Sequence, residues 1–235
     1  MIFGERKPID ELIGKLQGHR QVLLLGCATC VAECAAGGEK EVETLAPLLS
    51  LAMKQKGKRA QITTGTLEKQ CEYEFVDEIA DKVKNADAII SMACGIGVQA
   101  VSERFPDKPV YPAVNTSALT VREEAGVWAS RCAACGDCVL GETFGLCPIA
   151  RCSKSLLNGP CGGTRANGKC EISEDIDCIW QLIVERAEAL LQRYNWPGNV
   201  RELKSALEYA FVIAERGLID LHQLPIARNA AYGAC

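Results

Sequence analysis

Residues 21–26 read QVLLLG, an apolar run with the length of a strand that is buried on both faces. Working outward from this run, three further segments predict strands, at residues 60–63, 88–92 and 110–114. The stretches between them have apolar residues at helical spacing and predict helices at residues 39–56, 75–84 and 98–105. Strands that alternate with helices are typical of a doubly wound parallel sheet. We therefore expect an open α/β fold with the flavodoxin-like strand order 2-1-3-4.

The composition is rich in cysteine and poor in histidine: 14 of 235 residues are cysteine, and only His19 and His222 are histidine. The formal net charge of −4 predicts no binding to nucleic acid or to a membrane surface. Charges come too early in the N-terminal stretch MIFGERKPID for a secretory signal, and no long apolar run follows. We expect a cytoplasmic protein, in which thiols stay reduced and many cysteines favour metal or redox chemistry over disulfides.

The strongest metal-binding signal is the triplet Cys132-x2-Cys135-x2-Cys138. Three thiolates at this spacing can reach three irons of one cube, whereas tetrahedral zinc more often takes two separate Cys-x2-Cys pairs. Cys147 precedes a proline, as the last cysteine of the bacterial ferredoxin run does, but eight residues separate it from Cys138 where that run has three. The pairing of thiols cannot be copied from a ferredoxin.

Four more cysteines complete this group of eight: Cys152, Cys161, Cys170 and Cys178. Eight thiolates suit two [4Fe–4S] clusters, and the same eight suit two Cys-only zinc sites. The triplet favours clusters. The glycines of residues 158–163 (NGPCGG) either let backbone N–H groups approach cluster sulfurs or only form a turn.

A second group of cysteines follows the predicted strand ends. Cys27, Cys30 and Cys34 begin where the first strand ends, Cys71 follows the second strand, and Cys94 follows the third. Ligands of open parallel sheets bind outside the carboxyl ends of the strands. We predict a third cluster there, held by the first three thiols and either Cys94 or Cys71. The alternative for Cys71 or Cys94 is the role of a small buried hydrophobe.

The last part of the chain predicts two helices. Residues 176–191 follow the helical period, and the stretch NWPG at 195–198 breaks it. Asn199 can cap the second helix and Gly217 can end it. The predicted buried stripe of this helix comprises Val200, Leu203, Leu207, Ala210, Phe211 and Ala214. A lone helix is marginal in water, so the preceding helix or a partner has to cover the stripe.

Catalytic groups are missing from this pattern. There is no Walker loop, the stretch Gly95-Ile-Gly97 lacks the third glycine of a dinucleotide fingerprint, and no acid–base or nucleophile constellation stands out. The sequence thus supplies cofactor ligands without reaction machinery. We expect a subunit that is inactive by itself.

Six motifs in order resemble the small subunit of bacterial methylenetetrahydrofolate reductase. They are Cys27-x2-Cys30-x3-Cys34, GGEKE at 37–41, CGIGVQ at 94–99, the Cys132 triplet, LNGPCGG at 157–163 and GKCE at 168–171. The likeness covers roughly residues 1–190. It implies an iron–sulfur protein that exchanges electrons with the FMN of a separate catalytic subunit, which reduces 5,10-methylenetetrahydrofolate to 5-methyltetrahydrofolate. The family's cysteine-rich domain has also been described as zinc-binding.

The tail departs from that family. The stretch NWPGNVREL at 195–203 resembles the helical lid of AAA+ enhancer-binding transcription activators, in which the arginine matching Arg201 senses nucleotide. We expect three parts: an α/β domain at 1–120, a cluster-binding domain at 121–178 and a helical tail at 179–235. Two other functions stay open, a ferredoxin-like adaptor of another redox complex and a redox-sensing regulator.

Overall fold

The computed structural model describes residues 1–213 of the chain, which divides into two compact units, Met1–Ala129 and Ser130–Cys235. The first unit contains, in chain order, β1 (Ile2–Arg6), α1 (Ile9–Lys15), β2 (Gln21–Cys27), α2 (Cys30–Glu33), α3 (Glu39–Gln55), β3 (Gln61–Leu67), α4 (Tyr73–Asp77), α5 (Ala80–Lys84), β4 (Ala88–Ser91), α6 (Gly95–Arg104), β5 (Val110–Pro112), β6 (Val114–Glu124) and β7 (Val127–Cys132), in which the boundary falls. The second unit continues with α7 (Pro148–Arg151), β8 (Lys169–Cys170), β9 (Ser173–Asp177), α8 (Ile179–Arg193) and α9 (Asn199–Ile213).

The main sheet of the first unit has four parallel strands in the order β3-β2-β4-β5. These are the four predicted strands in the predicted order 2-1-3-4, so the open parallel sheet is confirmed. β2 lies inside the sheet, and its residues Val22 to Leu25 are fully buried. Val22 and Leu24 pack into one core with α1 and α3, whereas Leu23 and Leu25 pack into another with α4, α5 and α6. The run is apolar throughout because helices cover both faces.

The predicted helices differ from the observed ones in detail. The helix predicted at residues 39–56 is α3, and the one predicted at 98–105 is α6, which begins earlier, at Gly95. The helix predicted at 75–84 is two short helices, α4 and α5. Val76, Ile79 and Val83 are nevertheless all buried against the sheet, as their spacing indicated.

A second sheet of three strands, in the order β1-β6-β7, was not predicted. β1 runs antiparallel to β6, with Ile2 opposite Leu119 and Arg6 opposite Val114. β6 is mostly polar and exposed, so it lacks the apolar alternation by which a strand is recognised. Its partner β1 is more than 100 residues away in sequence, and local patterns carry no information about such a pairing.

The second unit has a small core and little regular structure before α8. Leu146, Cys178, Ile179, Trp180 and Ile183 are its buried apolar residues around the start of α8. The indole N–H of Trp180 donates to the carbonyl of Leu156 at 3.1 Å, which ties the irregular chain to the helix. β8 and β9 form an antiparallel hairpin.

The two tail helices are present, but the predicted buried stripe of α9 is only partly right: Ala210 is buried and Leu203 half-buried, whereas the other described members are exposed. Val200 is 76% exposed, Phe211 78% and Leu207 40%. The buried residues of α9 are Ala210, which was predicted, and Ala206, which was not. Ala210 packs in a cluster with the side chains that end α8 and form the turn: Leu190, Leu191, Tyr194 and Trp196. Ala214 and Gly217, also named in the prediction, lie outside the described residues.

The turn between these helices is as predicted. Tyr194 and Trp196 stack edge to face with ring centroids 4.9 Å apart, and the Trp196 indole N–H donates to the carbonyl of Leu191 at 2.8 Å. Trp196 has a positive φ of 45°, a conformation that no helix continues through. Both rings belong to the apolar cluster in which Ala210 of α9 is buried.

Candidate metal centres

Three thiols lie at the carboxyl edge of the parallel sheet. Cys27 ends β2 and is 7% exposed, Cys71 lies in the loop after β3, and Cys94 is the residue before α6, just after β4. The Cys27 sulfur is 3.9 Å from the carbonyl of Glu68, in the same loop as Cys71. This edge is where the strand order places a ligand site.

The three thiols follow adjacent strands of the sheet, and they act on one another electrostatically. Desolvation raises the pKa of the Cys71 thiol, and the thiols of Cys27 and Cys94 raise it further because their negative charges would oppose its ionisation. A bound cation would reverse this effect, since thiolates that repel one another share its attraction. The structure thus places one cysteine after each of three adjacent strands, at the same edge of the sheet.

The two other cysteines of this group have different surroundings. Cys34 faces β1: its sulfur accepts from the backbone N–H of Gly4 at 3.4 Å and lies 3.7 Å from the Gly4 carbonyl. Cys30 begins the one-turn helix α2 and is partly exposed. The predicted set of Cys27, Cys30, Cys34 and one further thiol therefore spreads over the strand end and its following turn.

The triplet of the second unit lies on an exposed, curled backbone. Cys132, Cys135 and Cys138 are all exposed. Between them, Ala134 and Gly136 have positive φ values of 51° and 81°. The backbone N–H of Ala134 donates to the Cys132 sulfur at 3.4 Å. An alanine in this region is uncommon, and such strain clusters at ligand sites, so the curl is consistent with a loop shaped to wrap a ligand.

Two further cysteines flank α7. The Cys147 sulfur caps the helix by accepting from the backbone N–H of Ala150 at 3.4 Å, and Cys152 follows its last residue. Cys152 packs against the small core that contains buried Cys178. The Thr164 hydroxyl donates to the Cys178 sulfur at 3.0 Å. These thiols are held by the core around α8, in contrast to the exposed triplet.

Cys161 and Cys170 share a lysine that the sequence did not single out. The Lys154 ammonium lies 3.8 Å from the Cys161 sulfur and forms an ion pair with Glu171. The pKa of the Cys170 thiol is lowered, first by the backbone N–H of Ile172 and in smaller part by the Lys154 charge. Lys154 follows a cysteine by two residues and has no pattern of its own, so only the fold reveals its place.

The donor set fits an iron–sulfur or zinc site. Backbone N–H groups donate to the sulfurs of Cys34, Cys132, Cys147 and Cys161 at 3.4 Å each. Such bonds orient metal-bound thiolates and tune their charge. Within residues 1–213, no three cysteine, histidine, aspartate or glutamate side chains converge closely enough to hold a metal ion. Ligation of a metal by the predicted thiols therefore stays a prediction.

Histidine takes no part in these groups within the described chain. His19 precedes β2, at the opposite edge of the sheet, where its Nε2 is 3.2 Å from the Tyr111 hydroxyl. His222 lies outside the described residues. Across residues 1–213, none of the helices has the length and apolarity needed to cross a bilayer.

Residues 111–205 match the family described as "Methylene-tetrahydrofolate reductase C terminal". This match is less than half of the chain, contains all eight cysteines from Cys132 to Cys178 and reaches into α9. The second unit is thus similar to the C-terminal region of methylenetetrahydrofolate reductases, as the resemblance of the motifs predicted. The match also extends past Asn195, where we expected the family likeness to have ended.

Short stretches of the chain are similar to a regulatory protein and to a nitrogen fixation protein. A Nif-specific regulatory protein of Klebsiella pneumoniae is 55% identical over 38 residues, and the nitrogen fixation protein VnfA of Azotobacter vinelandii is 50% identical over 41 residues. These matches cover 16% and 17% of the chain and only 7% and 8% of the regulators. They agree with the resemblance that the tail bears to transcription activators. No solved structure matches the chain.

Proposed function

We propose that this chain is the electron-transfer iron–sulfur subunit of a methylenetetrahydrofolate reductase complex. The observation that carries the proposal is the family match at residues 111–205, which includes every thiol of the second cysteine group. The catalytic subunit would be a separate flavoprotein, whose FMN exchanges electrons with this chain and reduces 5,10-methylenetetrahydrofolate to 5-methyltetrahydrofolate.

The ligands would come from both cysteine groups. Two [4Fe–4S] clusters would take the eight thiols of the second unit, and a third would take thiols from the set Cys27, Cys30, Cys34, Cys71 and Cys94. Zinc is the alternative metal, because Cys-only sites suit both. The four N–H···S bonds support either metal, whereas the triplet spacing supports clusters.

When bound, iron–sulfur clusters supply one-electron carriers at low potential. The chain's own residues would hold and tune these carriers. Backbone N–H groups at Ala134, Ala150 and Gly163 donate to ligand sulfurs and stabilise their negative charge. Lys154 adds a positive charge beside Cys161, and Glu171 partly offsets it.

Anaerobic purification followed by iron, acid-labile sulfide and zinc analysis tests the metal. We expect iron and labile sulfide in equal amounts and an EPR signal after reduction. Zinc without sulfide would overturn the cluster proposal. The isolated chain should show no folate reductase activity, and activity with a low-potential donor should appear once a flavin-bearing reductase subunit is added. Turnover or tight FMN binding by the chain alone would contradict the assigned role.

A redox-sensing regulator is a second candidate, favoured only by the short matches to regulators. Arg201, which occupies the nucleotide-sensing position in the resemblance, is exposed at the start of α9. ATP binding that is lost in Arg201→Ala, or binding to DNA, would favour this candidate over an electron carrier.

A further inference from the structure

Gln70 is a fully buried polar side chain at the carboxyl edge of the parallel sheet. Its amide Nε2 donates to the carbonyls of Leu25 and Gly26 at 3.0 and 2.9 Å. Its Oε1 accepts from the hydroxyl of Ser91, also fully buried, at 2.6 Å. The Ser91 oxygen in turn accepts from the backbone N–H of Ala93 at 3.3 Å. One side chain therefore links the ends of β2 and β4 to the loop after β3.

Each segment in this network leads directly into a cysteine. Gly26, Gln70 and Ala93 are the residues immediately before the three thiols of this edge, Cys27, Cys71 and Cys94. The hydrogen bonds therefore fix the backbone at the residue that precedes each cysteine. Backbone hydrogen bonds join the same segments, from the Ala28 N–H to the Leu67 carbonyl and from the Met92 N–H to the Leu25 carbonyl, both at 2.8 Å. Gln70 adds a side-chain link that reaches further into the loop after β3.

The surrounding packing accommodates this side chain. A Cβ at Gly97 would lie 2.8 Å from the Cβ of Gln70 and 2.8 Å from that of Ala93, so α6 approaches the network only because residue 97 is glycine. A buried amide lowers stability unless it is fully hydrogen-bonded, and an apolar side chain of equal size would serve a core equally well. The buried amide, with its oxygen and nitrogen both hydrogen-bonded, fixes the geometry of the loops that it joins.

We propose that Gln70, acting with Ser91, is the positioning residue that holds Cys27, Cys71 and Cys94 as one binding set for a thiophilic metal ion or cluster. This inference rests on the proposed metal-binding role of these thiols. It assigns Gln70 no contact with the metal itself. Outer residues that orient ligands change metal affinity by about 10- to 100-fold when they are lost.

The test uses the full chain in its reduced, metal-free form and Cd²⁺ as the probe. Alkylation of every cysteine is followed residue by residue by mass spectrometry as Cd²⁺ is added. In Gln70→Leu, we expect half-protection of Cys71 and Cys94 to need about 10- to 100-fold more Cd²⁺. Protection of Cys135 and Cys170 should not change. Unaltered protection of Cys71 and Cys94 in a folded Gln70→Leu protein overturns the proposal.

Two further variants separate positioning from stability. Ser91→Ala keeps the bonds from Gln70 to β2 and breaks the link to β4, so its shift should be largest at Cys94. Thr120→Val removes another buried hydroxyl of the same unit and should leave all protection curves unchanged. If Gln70→Leu does not fold, the test rests on Ser91→Ala. Unchanged protection of Cys94 by Cd²⁺ in Ser91→Ala then overturns the inference.

The wild-type result distinguishes this inference from the proposed function. If Cd²⁺ protects the second unit's cysteines but none of the three at the sheet edge, the positioning role falls and the second unit's proposed role stands. If Cd²⁺ protects Cys71 and Cys94 from alkylation equally well in the wild type and in Cys27→Ser, Cys27 is not part of the binding set and the inference fails.

Discussion

The two units place their cysteines on different supports. In the first unit, Cys27 is the last residue of β2. Leu23 and Leu24 of the same strand are fully buried between two helical layers. In the second unit, Cys132, Cys135 and Cys138 are exposed on irregular chain, and the core consists of a few residues around the start of α8. The first unit can fold by burying apolar surface, whereas the cysteine-rich part of the second unit buries too little apolar surface to fold in this way.

The backbone shows the same difference. Within residues 1–213, the first unit has one non-glycine residue with positive φ, Ala35, whereas the second has five, among them Ala134, Phe144 and Ser155. Each such residue costs on the order of 1–3 kcal/mol and persists only where surrounding structure enforces it. In a segment with little core, bound metal is the available source of that enforcement. If the proposed metals are bound, the first unit would hold its metal on a fold that stands without it, whereas the second would fold around its metal.

Metal removal should have the largest effect. Structural metals in small cysteine-rich domains contribute on the order of 10 kcal/mol to folding. Stripping the protein with a chelator under anaerobic conditions should remove hydrogen-exchange protection from residues 132–178 and leave β2 and β4 protected. Cys135→Ser should act in the same direction, and Cys71→Ser should spare the second unit. Simultaneous loss of protection in both units would break the distinction between them.

Truncation of the main core should affect the first unit alone. Leu24→Ala removes a fully buried side chain and should lower the free energy of unfolding by about 2–5 kcal/mol, as measured by urea denaturation followed at the parallel sheet. The matched control Leu48→Ala, at a side chain that is 50% exposed, should change it by less than about 0.5 kcal/mol. A fall in the metal content of the second unit in Leu24→Ala would contradict independent support.

A single methyl group at residue 37 should disturb the Cys27 site. A Cβ on Gly37 would lie 1.8 Å from the carbonyl oxygen of Met92, and the Gly37 carbonyl accepts the backbone N–H of Cys27 at 2.9 Å. Gly37→Ala should therefore cost about 3 kcal/mol by overpacking and reduce metal binding at the sheet edge. Gly14→Ala is the control, because a Cβ added at residue 14 has no other atom within 4 Å. Its melting temperature should equal or exceed that of the wild type.

The smallest expected effect concerns a surface ion pair. The side-chain hydrogen bond from Arg104 lowers the pKa of Asp77, so the pair stabilises the fold above the unfolded pKa of about 3.9 and is lost as pH falls through the lower folded value. Asp77→Asn should lower the melting temperature slightly at neutral pH. The difference from wild type should vanish below about pH 3 and shrink in about 1 M salt. A difference that persists at low pH would assign the effect to packing.

Local periodicity predicted the first unit well. The runs at β2 and β4 are apolar on both faces, and that feature alone indicates strands covered by helices on each side. Alternation with helices then predicted parallel strands, and the order that places Cys27 and Cys94 on neighbouring strands is confirmed.

Patterns failed where long-range contacts decide the structure. β6 pairs with β1 across more than 100 residues and has a mostly polar, exposed sequence. On α9, Val200 and Phe211 are exposed, and Ala210 packs against the aromatic turn after α8. Periodicity gives the faces of a helix, but the shape of the neighbouring surface selects which face is buried.

The sequence by itself determined the parallel sheet, the strand ends after which Cys27, Cys71 and Cys94 stand, and the eight-cysteine composition of the second unit. These follow from local spacing and side-chain type, which a linear pattern records. Only the tertiary structure decided that Cys27, Cys71 and Cys94 act on one another electrostatically, that Gln70 ties their loops together, and that Lys154 lies beside Cys161. The physical reason is that hydrogen bonds and charges act through space, between segments whose separation along the chain carries no signal of their approach.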